Sequence, residues 1–297
     1  MNLFALAQNI VPQQALSELA GALAASENPY LKKALIRSFA KAYDIGLDEY
    51  ARGSLDDYAS FNDFFTRELK DDARAIDAAK DSIICPADGT VSQAGVIRQG
   101  TIVQAKGRDY EVGQLLADYD DGREFVDGSF ATIYLAPSNY HRVHMPFDGR
   151  LIATRYVPGT LFSVNDATAQ SVPDLFARNE RLVCLFETAF GRAAVVLVGA
   201  MIVAGIECVA TGQIKRTPYI QYRTHDLPLT KGDELGRFYL GSTAIVLLPK
   251  AAGNAWLDDV CHGQKVLMGQ AIGRCDLGSR DNLANAAVNS SDNPADS

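Results

Sequence analysis

A chain of 297 residues that is 47% hydrophobic and 22% charged has the composition of a soluble globular protein and can bury a sizeable core. Its net charge of −8 argues against a general nucleic-acid-binding protein, which is usually basic. Five cysteines without C-x-x-C spacing argue against a zinc site and favour reduced, buried thiols in a cytosolic protein.

The N-terminal part of the chain is predicted to form two helices, interrupted between Ser26 and Pro29. No basic segment precedes an apolar stretch here, so we expect no secretory signal. On the second helix, apolar and basic residues recur in two separate stripes at helical spacing. The apolar stripe contains Leu31, Leu35, Phe39 and Ala42, and the basic stripe contains Lys33, Arg37 and Lys41. Such a helix either packs on a core with one solvated face or lies on an anionic membrane surface.

The segment 60–69 predicts a short helix, since Ser60 and Asp63 have the spacing of a capping box. From about residue 82, short runs rich in Val, Ile, Thr and Tyr between Gly, Pro and Asp residues predict strands. These runs are 82–85, 90–97, 131–136, 150–157, 182–187, 193–203, 206–214 and 243–249. The 14-residue apolar run over 193–206 is too short to span a bilayer as a helix and is predicted to form buried strands around a turn.

The predicted fold class is therefore α+β, with a β-rich core and N-terminal amphipathic helices. Short helices are expected near 112–118 and 173–179. The final segment, 279–297, is rich in Asn, Asp, Ser and Ala and is predicted to be a disordered tail.

Two turns share the pattern P-x-D-G before an apolar strand, one at Asp88-Gly89 and one at Asp148-Gly149. Each turn is predicted to launch a strand, because proline and glycine supply the backbone angles of a tight turn. Either aspartate could simply bond its own turn or could orient a catalytic histidine. The pattern alone does not choose between them.

Two of the four histidines, His141 and His144, follow the strand predicted over 131–136. Pro137 and Pro146 flank them, so a long helix carrying a metal pair is not expected, and no third ligand has a suitable spacing. We therefore expect no metal site. The two imidazoles either pack and hydrogen-bond only, or take part in acid–base chemistry.

A serine preceded by glycine occurs in the segment 240–243, Leu-Gly-Ser-Thr, between a charged turn and an apolar run. An aspartate, a histidine and this serine, Ser242, could form a triad in which the imidazole deprotonates the hydroxyl. The G-x-S-x-G pattern of a serine hydrolase is absent, because Leu240 and Ala244 occupy the glycine positions. The sequence therefore favours attack of Ser242 on its own preceding peptide bond, at Gly241, over attack on a substrate.

Seven segments in order along the chain resemble the phosphatidylserine decarboxylase family, in particular its bacterial form. They are S-F-N-D-F-F-T-R-E-L (60–69), P-A-D-G-T-V (86–91), Y-L-A-P-S-N-Y-H-R-V-H-M-P (134–146), V-P-G-T-L-F-S-V-N (157–165), L-F-A-R-N-E-R (175–181), V-G-A-M-I-V-A-G-I-E (198–207) and K-G-D-E-L-G-R-F-Y-L-G-S-T (231–243). The resemblance implies that the chain is a proenzyme, cut by its own serine between Gly241 and Ser242.

The resemblance also implies a role for each matching residue. Asp88, His144 and Ser242 correspond to the self-cleaving triad of the family. The resemblance thus selects Asp88 over Asp148. His141 corresponds to the histidine used in decarboxylation. Two further residues, Ser163 and Asn165, are expected in the same pocket.

The implied reaction is decarboxylation of phosphatidylserine to phosphatidylethanolamine through a Schiff base with a pyruvoyl group that is made from Ser242, without a metal. The implied partners are an anionic membrane surface and the two chains of one precursor, in a homo-oligomer of which a dimer is the simplest form, with no nucleic acid. A lipid substrate favours the membrane interpretation of the basic helix, so we expect peripheral attachment to the cytoplasmic face of the cell membrane. We accordingly divide the chain into a helical membrane-associating region (1–59), a β-rich decarboxylase domain (60–278) and the tail.

Three alternatives follow from the same residues. The first is a pyruvoyl-dependent decarboxylase of a soluble amino acid, in which the amphipathic helices would have no purpose. The second is a non-cleaving β binding module, which would stay a single chain. The third is an ordinary serine hydrolase, which would stay whole and react at Ser242 with an activated ester.

Overall fold

The computed structural model describes residues 13–105, 107–201, 205–239, 241–253 and 255–277. The expected tail, 279–297, lies outside these residues, as does the start of the N-terminal region. The predicted α+β class is confirmed, since strands dominate and the longest helices lie near the N-terminus.

The helices are short, apart from the two at the N-terminus. They are α1 (Gln13–Ala25), α2 (Pro29–Ala42), α3 (Phe61–Phe65), α4 (Val112–Leu116), α5 (Tyr119–Arg123), α6 (Asp166–Ala169) and α7 (Leu175–Arg178), with 3-10 turns at Leu55–Asp57 and Lys250–Ala252. The break between α1 and α2 confirms the sequence prediction, and Asn28 caps α2 by accepting from the backbone N–H groups of Tyr30 and Leu31. Half of the predicted capping box of α3 is present, because the Asp63 N–H donates to Ser60 Oγ at 3.2 Å, while the Asp63 carboxylate accepts from the Ala59 N–H rather than from that of Ser60.

The strands of the core include every predicted run. They are β1 (Ser82–Ile84), β2 (Gly89–Val96), β3 (Thr101–Ala105), β4 (Arg108–Glu111), β5 (Ser129–Leu135), β6 (Arg142–His144), β7 (Gly149–Val157), β8 (Arg181–Thr188), β9 (Gly191–Gly199), β10 (Gly205–Cys208), β11 (Gly212–Gln213), β12 (Gln221–Leu229), β13 (Glu234–Tyr239), β14 (Ser242–Leu248), β15 (Lys265–Val266) and β16 (Ala271–Arg274). Both P-x-D-G turns launch strands as predicted, β2 after Asp88 and β7 after Asp148.

An eight-stranded antiparallel sheet forms the centre of the molecule, in the order β12-β7-β8-β9-β14-β5-β2-β15. Apolar side chains alternate between its two faces: Ala244 and Val246 pack on one side of β14, and Ile245 and Leu247 on the other. Both faces are therefore buried, which explains why β9 reads as a continuous apolar run without being a membrane helix. Among the described residues, no helix has the length and hydropathy needed to cross a bilayer.

A second sheet, in the order β11-β10-β13-β6, carries His144 at the end of β6, with His141 directly before that strand, and leads into the central sheet. Strand β13 pairs with both β6 and β10 and ends two residues before Gly241, and β14 begins at Ser242 between β5 and β9. The Gly-Ser bond therefore lies where the chain passes from one sheet to the other.

The N-terminal helices share a separate apolar cluster with α3. It contains Ala24, Ile36, Ala40, Tyr58, Phe61, Phe64 and Phe65. On α2 the buried positions are Ile36 and Ala40, with Leu35 and Phe39 partly buried, so the packing face is shifted from the predicted stripe, and Ala42 is exposed. The cluster contains side chains from both sides of the expected boundary at 59/60, so the N-terminal helices pack on the first helix of the expected decarboxylase domain.

Four of the five cysteines are buried, as expected for reduced structural thiols, while Cys261 is exposed. Burial raises the pKa of the Cys85 thiol to about 12, so this group stays protonated at neutral pH. Cys85 is therefore an apolar core residue rather than a nucleophile.

Candidate active site

Ser242 is the first residue of β14, with its backbone held between Leu135 of β5 and Gly199 of β9. Its side chain is completely buried, and its Oγ has no hydrogen-bond partner among the described residues. Buried hydroxyls are almost always hydrogen-bonded, and an orphaned one is typical of a group kept for chemistry. Ser242 is therefore a candidate reactive residue rather than a structural hydrogen-bonding one.

Gly241 adopts a positive φ of +50°, in the left-handed region that residues with a side chain rarely occupy. A Cβ built at this residue would meet no described atom within 4 Å. The requirement for glycine is therefore conformational rather than steric. A side chain here would cost about 1–2 kcal/mol in this backbone conformation.

His144, the last residue of β6, is held by both of its ring nitrogens. Its Nδ1 lies 2.7 Å from the carbonyl oxygen of Gly232, and its Nε2 lies 2.8 Å from the hydroxyl of Tyr140. A carbonyl only accepts, so Nδ1 carries the proton and Nε2 accepts from Tyr140. Burial lowers the pKa of His144, opposed by the Gly232 carbonyl and by the negative charge of Asp88 among other groups. His144 is therefore neutral at pH 7, with the lone pair of a general base on Nε2.

Asp88, in the turn before β2, is almost fully buried and forms an ion pair with Arg74. Arg74 Nε and Nη2 donate to the two carboxylate oxygens at 3.1 and 2.6 Å, and the Met268 N–H donates to Oδ1 at 2.9 Å. On its other side Arg74 binds both oxygens of Glu49. The carboxylate is thus present beside the base as a charge, without a hydrogen bond to His144.

His141 is completely buried and packs on Phe65, with 4.1 Å between the ring centroids. Its Nδ1–H donates to the Asn139 carbonyl at 2.8 Å, while its Nε2 has no partner among the described residues. Burial lowers the pKa of His141 to about 3, so the ring is neutral. An unpaired buried lone pair is costly in a merely structural residue, and it points to a role in binding or proton transfer.

A cavity of about 310 Å³ opens beside the base and is lined by Tyr140, His144, Gly232, Arg74 and Met268 among others. Among the described residues, no group of three or more His, Cys, Asp or Glu side chains is arranged to hold a metal ion. This cavity therefore presents the imidazole of His144, the side chain of Tyr140 and an ion pair between Arg142 and Glu234, with 3.0 Å between their N and O atoms.

The predicted site residues fall into two groups. Arg74 and Met268, which bind Asp88, line this cavity together with His144, while Ser242 and His141 are buried with one unpaired polar atom each. None of the hydrogen bonds of His144 reaches Asp88 or Ser242 in the described structure. The predicted triad is therefore not hydrogen-bonded in this conformation.

The two predicted pocket residues lie just before and at the start of α6. Asn165 caps this helix, accepting from the Thr168 N–H at 3.0 Å, and Ser163 is half-buried in the preceding segment. Neither lines the cavity beside His144. Their place in a substrate pocket stays a prediction.

Sequence reasoning missed Tyr140, Gly232 and Arg74. Tyr140 stands within the quoted Y-H-R-V-H motif, four residues before His144, so its nearness could have been suspected from spacing. Arg74 lies in an irregular segment 14 residues before Asp88, and no local signal connects the two.

Comparisons with known proteins identify the family. The phosphatidylserine decarboxylase family model matches residues 61–274, and a second family model, described as PSD, matches residues 3–44. A relative from Psychrobacter cryohalolentis is 68% identical over 92% of this chain and 99% of its own length. Relatives from Acinetobacter baumannii (58%, covering 84% and 88%) and Acinetobacter baylyi (51%, covering 92% and 95%) are also similar. Each of the three is described as a phosphatidylserine decarboxylase proenzyme.

The chain therefore belongs to the phosphatidylserine decarboxylase family. It is a carboxy-lyase that matures from a proenzyme by self-cleavage, which confirms the resemblance drawn from the sequence motifs.

Proposed function

We propose that this chain cuts itself between Gly241 and Ser242, with His144 as general base and Asp88 as the charge that stabilises the resulting imidazolium. It then converts phosphatidylserine to phosphatidylethanolamine. The observation that carries the proposal is the buried, unpartnered Oγ of Ser242 directly after a glycine at positive φ.

In the first stage, Nε2 of His144 takes the hydroxyl proton of Ser242, and Oγ attacks the Gly241 carbonyl carbon. The C–N bond breaks as the nitrogen gains a proton, so the amide becomes an ester. Loss of the Ser242 α-proton and of the Cβ–Oγ bond then releases a chain that ends in the Gly241 carboxylate. Water converts the remaining dehydroalanine to a pyruvoyl group with loss of ammonia, leaving chains of 241 and 56 residues.

The tautomer of His144 supports its role as base. The Gly232 carbonyl holds the proton on Nδ1, which leaves the lone pair on Nε2 without any help from a carboxylate. Asp88 contributes through its charge, which raises the pKa of His144 in the same direction as the Gly232 carbonyl and Glu234 do. Before the reaction, Nε2 must exchange the Tyr140 hydroxyl for that of Ser242.

In the second stage, the pyruvoyl group would bind the substrate amine and supply an electron sink for the electron pair that stays on Cα when CO₂ leaves. The site fits such a group, because Ser242 is completely buried and Nε2 of His141, also buried, has no hydrogen-bond partner among the described residues. A bound anionic head group raises the pKa of a nearby histidine. We propose that His141 takes up a proton at Nε2 in this way and returns it to Cα, with Ser163 and Asn165 contributing to the same pocket.

We further propose peripheral attachment to the cytoplasmic face of the cell membrane through α1 and α2. Leu16, Leu19 and Leu23 of α1 are exposed, and so are Lys33 and Arg37 of α2. A homo-oligomer, with a dimer as its simplest form, is supported by β12, which is an edge strand of the large sheet.

The test of this function is the intact mass of purified protein, compared with Ser242→Ala. We expect the wild-type chain to give two masses, one ending at Gly241 and one beginning with a pyruvoyl group. Ser242→Ala is expected to give one mass and no release of CO₂ from phosphatidylserine vesicles. Cleavage of Ser242→Ala at the same bond would exclude Ser242 as the nucleophile.

A further inference from the structure

A second cavity, of about 710 Å³, lies between α1, α3 and the strands β11 and β13, apart from the cavity at His144. Its wall includes Ser17 of α1, Asn62 of α3 and the side chains of Arg216, Arg237 and Tyr239. None of the proposed triad lines it, so the self-cleavage chemistry does not explain its polar character.

Two side-chain atoms in this wall lack hydrogen-bond partners among the described residues. They are Ser17 Oγ and Asn62 Oδ1, and Ser17 is only 1% exposed. A buried polar atom without a partner costs roughly 1–3 kcal/mol, which proteins accept mainly where a ligand or ordered water completes the site. Because both atoms line one cavity, that cavity suits a polar ligand.

Two guanidinium groups, of Arg216 and Arg237, and one carboxylate, of Asp63, line this cavity, and Asp63 is already paired with Arg52 outside it. Arg216 Nε donates to Glu180 at 2.8 Å, and Arg237 Nε donates to Glu234 at 2.8 Å. The two arginines line the cavity while these glutamates do not, so each glutamate orients its arginine from behind. Arg237 directs Nε and Nη2 at Glu234. Among the described residues, its Nη1 has no hydrogen-bond partner and can donate to a ligand. Guanidinium groups held in this way recognise phosphate oxygens.

The cavity adjoins the reacting centre on two sides. Tyr239 in its wall precedes Gly241 by two residues, so their Cα atoms lie within about 8 Å of each other. Thr66, also in the wall, follows Phe65, whose ring packs on His141. A lipid head group whose amine reached residue 242 could therefore place its phosphate in this cavity.

We propose that this cavity is the subsite for the phosphodiester of the lipid substrate, with Arg237 and Arg216 as its charge-recognising residues. The assignment rests on the proposed function, since it takes residue 242 as the place where the substrate amine reacts. Ser17 Oγ then donates to a phosphodiester oxygen, and Asn62 Oδ1 accepts from a bridging water. The phosphodiester could come from an intact lipid or from a water-soluble glycerophosphoserine, and both share this chemistry.

The test measures self-cleavage and decarboxylation separately in Arg237→Gln, Arg216→Gln and the matched control Arg192→Gln. Arg192 is a half-buried, ion-paired arginine outside this cavity. We expect all three variants to cleave at the wild-type rate on a denaturing gel. The two cavity variants should raise KM for phosphatidylserine in mixed micelles by at least tenfold with a smaller change in kcat, and the control should leave KM within twofold.

A steric variant keeps the proposal testable if the loss of an ion pair unfolds the chain. Ala22, on the exposed part of α1, lines the cavity without a polar contact. Ala22→Trp should raise KM by at least tenfold, and Ala22→Ser should not. Wild-type KM in every cleaved variant would overturn the subsite, whereas absence of cleavage in the wild-type chain would instead overturn the proposed function.

Binding to the uncleaved Ser242→Ala chain, measured with glycerophosphoserine and with phosphatidylserine in micelles, distinguishes the two sources, since a subsite specific for intact lipid would bind only the micelles. Glycerophosphoserine should bind by calorimetry, and Arg237→Gln in the same background should weaken its binding by about tenfold. Equal affinity for inorganic phosphate, or binding unaffected by Arg237→Gln, would overturn the assignment to a phosphodiester.

Discussion

The hydroxyl of Tyr140 donates to Nε2 of His144 at 2.8 Å, so the lone pair needed for self-cleavage is occupied in the intact chain. The two rings are also stacked, with 5.6 Å between their centroids, and Tyr140 is almost fully buried. Burial raises the pKa of Tyr140, so its hydroxyl keeps its proton and remains a donor. Tyr140 therefore restrains the proposed base.

Tyr140→Phe is expected to speed self-cleavage, because it removes this competing donor and leaves the aromatic packing in place. A net hydrogen bond of about 0.5–1.5 kcal/mol corresponds to a two- to tenfold shorter half-time. The measurement is a time course of the two chains on a denaturing gel after in vitro synthesis. A half-time equal to or longer than that of the wild-type chain would show that the hydroxyl does not restrain His144.

Asp88→Asn is expected to slow cleavage and to destabilise the fold. It removes the charge that favours the His144 imidazolium and leaves Arg74 buried without its main partner, a loss of about 3–5 kcal/mol. Glu49→Gln is the matched control, because it removes the exposed partner of the same arginine and should cost less than about 1 kcal/mol. Urea unfolding and the cleavage time course are measured together.

A double variant separates these two effects of Asp88. Asp88→Asn with Arg74→Gln leaves no unpaired buried charge, so it should regain much of the lost stability while still cleaving slowly. Wild-type cleavage by this double variant would remove Asp88 from the proposed triad.

Most strands and turns of the core can be predicted from the sequence, because short local patterns of residues define them. Six strands of the central sheet, β2, β5, β7, β8, β9 and β14, are marked by runs of apolar residues, and the turns before β2 and β7 by P-x-D-G, so the predicted runs lie close to the observed bounds. The edge strand β12 is missed, because its polar, largely exposed residues form no such run. The short strands β6, β15 and β16 have no such run, because pairing rather than propensity defines them.

The contacts inside the site depend on tertiary structure and could not be read from any single segment. Gly232 reaches His144 from 88 residues away because β13 pairs with β6, and Met268 reaches Asp88 from 180 residues away. The sequence motifs identify which residues take part, whereas the fold determines that Arg74 rather than His144 binds Asp88.

His141→Ala and His141→Asn are expected to cleave normally and to lose decarboxylation by roughly 10²–10⁴-fold, as for removal of a general acid–base group. Asparagine can still donate to the Asn139 carbonyl, so it preserves the local hydrogen bond while removing the Nε2 lone pair. CO₂ release from phosphatidylserine is measured on chains already shown to be cleaved. Failure of both variants to cleave would place His141 in maturation instead.

The free energy of unfolding should decrease as the pH is lowered, because His141 is buried as a neutral ring. Its pKa is about 3 in the folded chain and ordinarily about 6.5, so the unfolded chain binds the extra proton first. The contribution of neutral His141 to the free energy of unfolding is complete above pH 6.5. It is lost as the pH falls towards 3, with a slope of up to about 1.4 kcal/mol per pH unit. Urea midpoints from pH 7 to 4 should therefore fall less steeply in His141→Asn than in the wild-type chain, and parallel curves would contradict the assignment.

Membrane binding is expected to depend more on the leucines of α1 than on the basic residues of α2. Lys33 and Arg37 both lie beside Asp56, at 3.4 and 3.3 Å, which reduces their net attraction for anionic lipid, whereas Leu19 is 60% exposed. Burying a leucine side chain gains about 1.5–3 kcal/mol. Leu19→Ser with Leu23→Ser should therefore weaken sedimentation with phosphatidylserine-containing vesicles at least tenfold, at low and at high salt.

The matched control for this membrane prediction is Val126→Ser, an exposed apolar residue outside the N-terminal helices, which should bind vesicles as the wild-type chain does. Lys33→Gln with Arg37→Gln should weaken binding only at low salt, because charge attraction at a surface is screened within about 10 Å at 0.1 M salt. Unchanged vesicle binding by the double leucine variant would contradict attachment through α1. A loss seen only with the basic residues would instead make the attachment electrostatic.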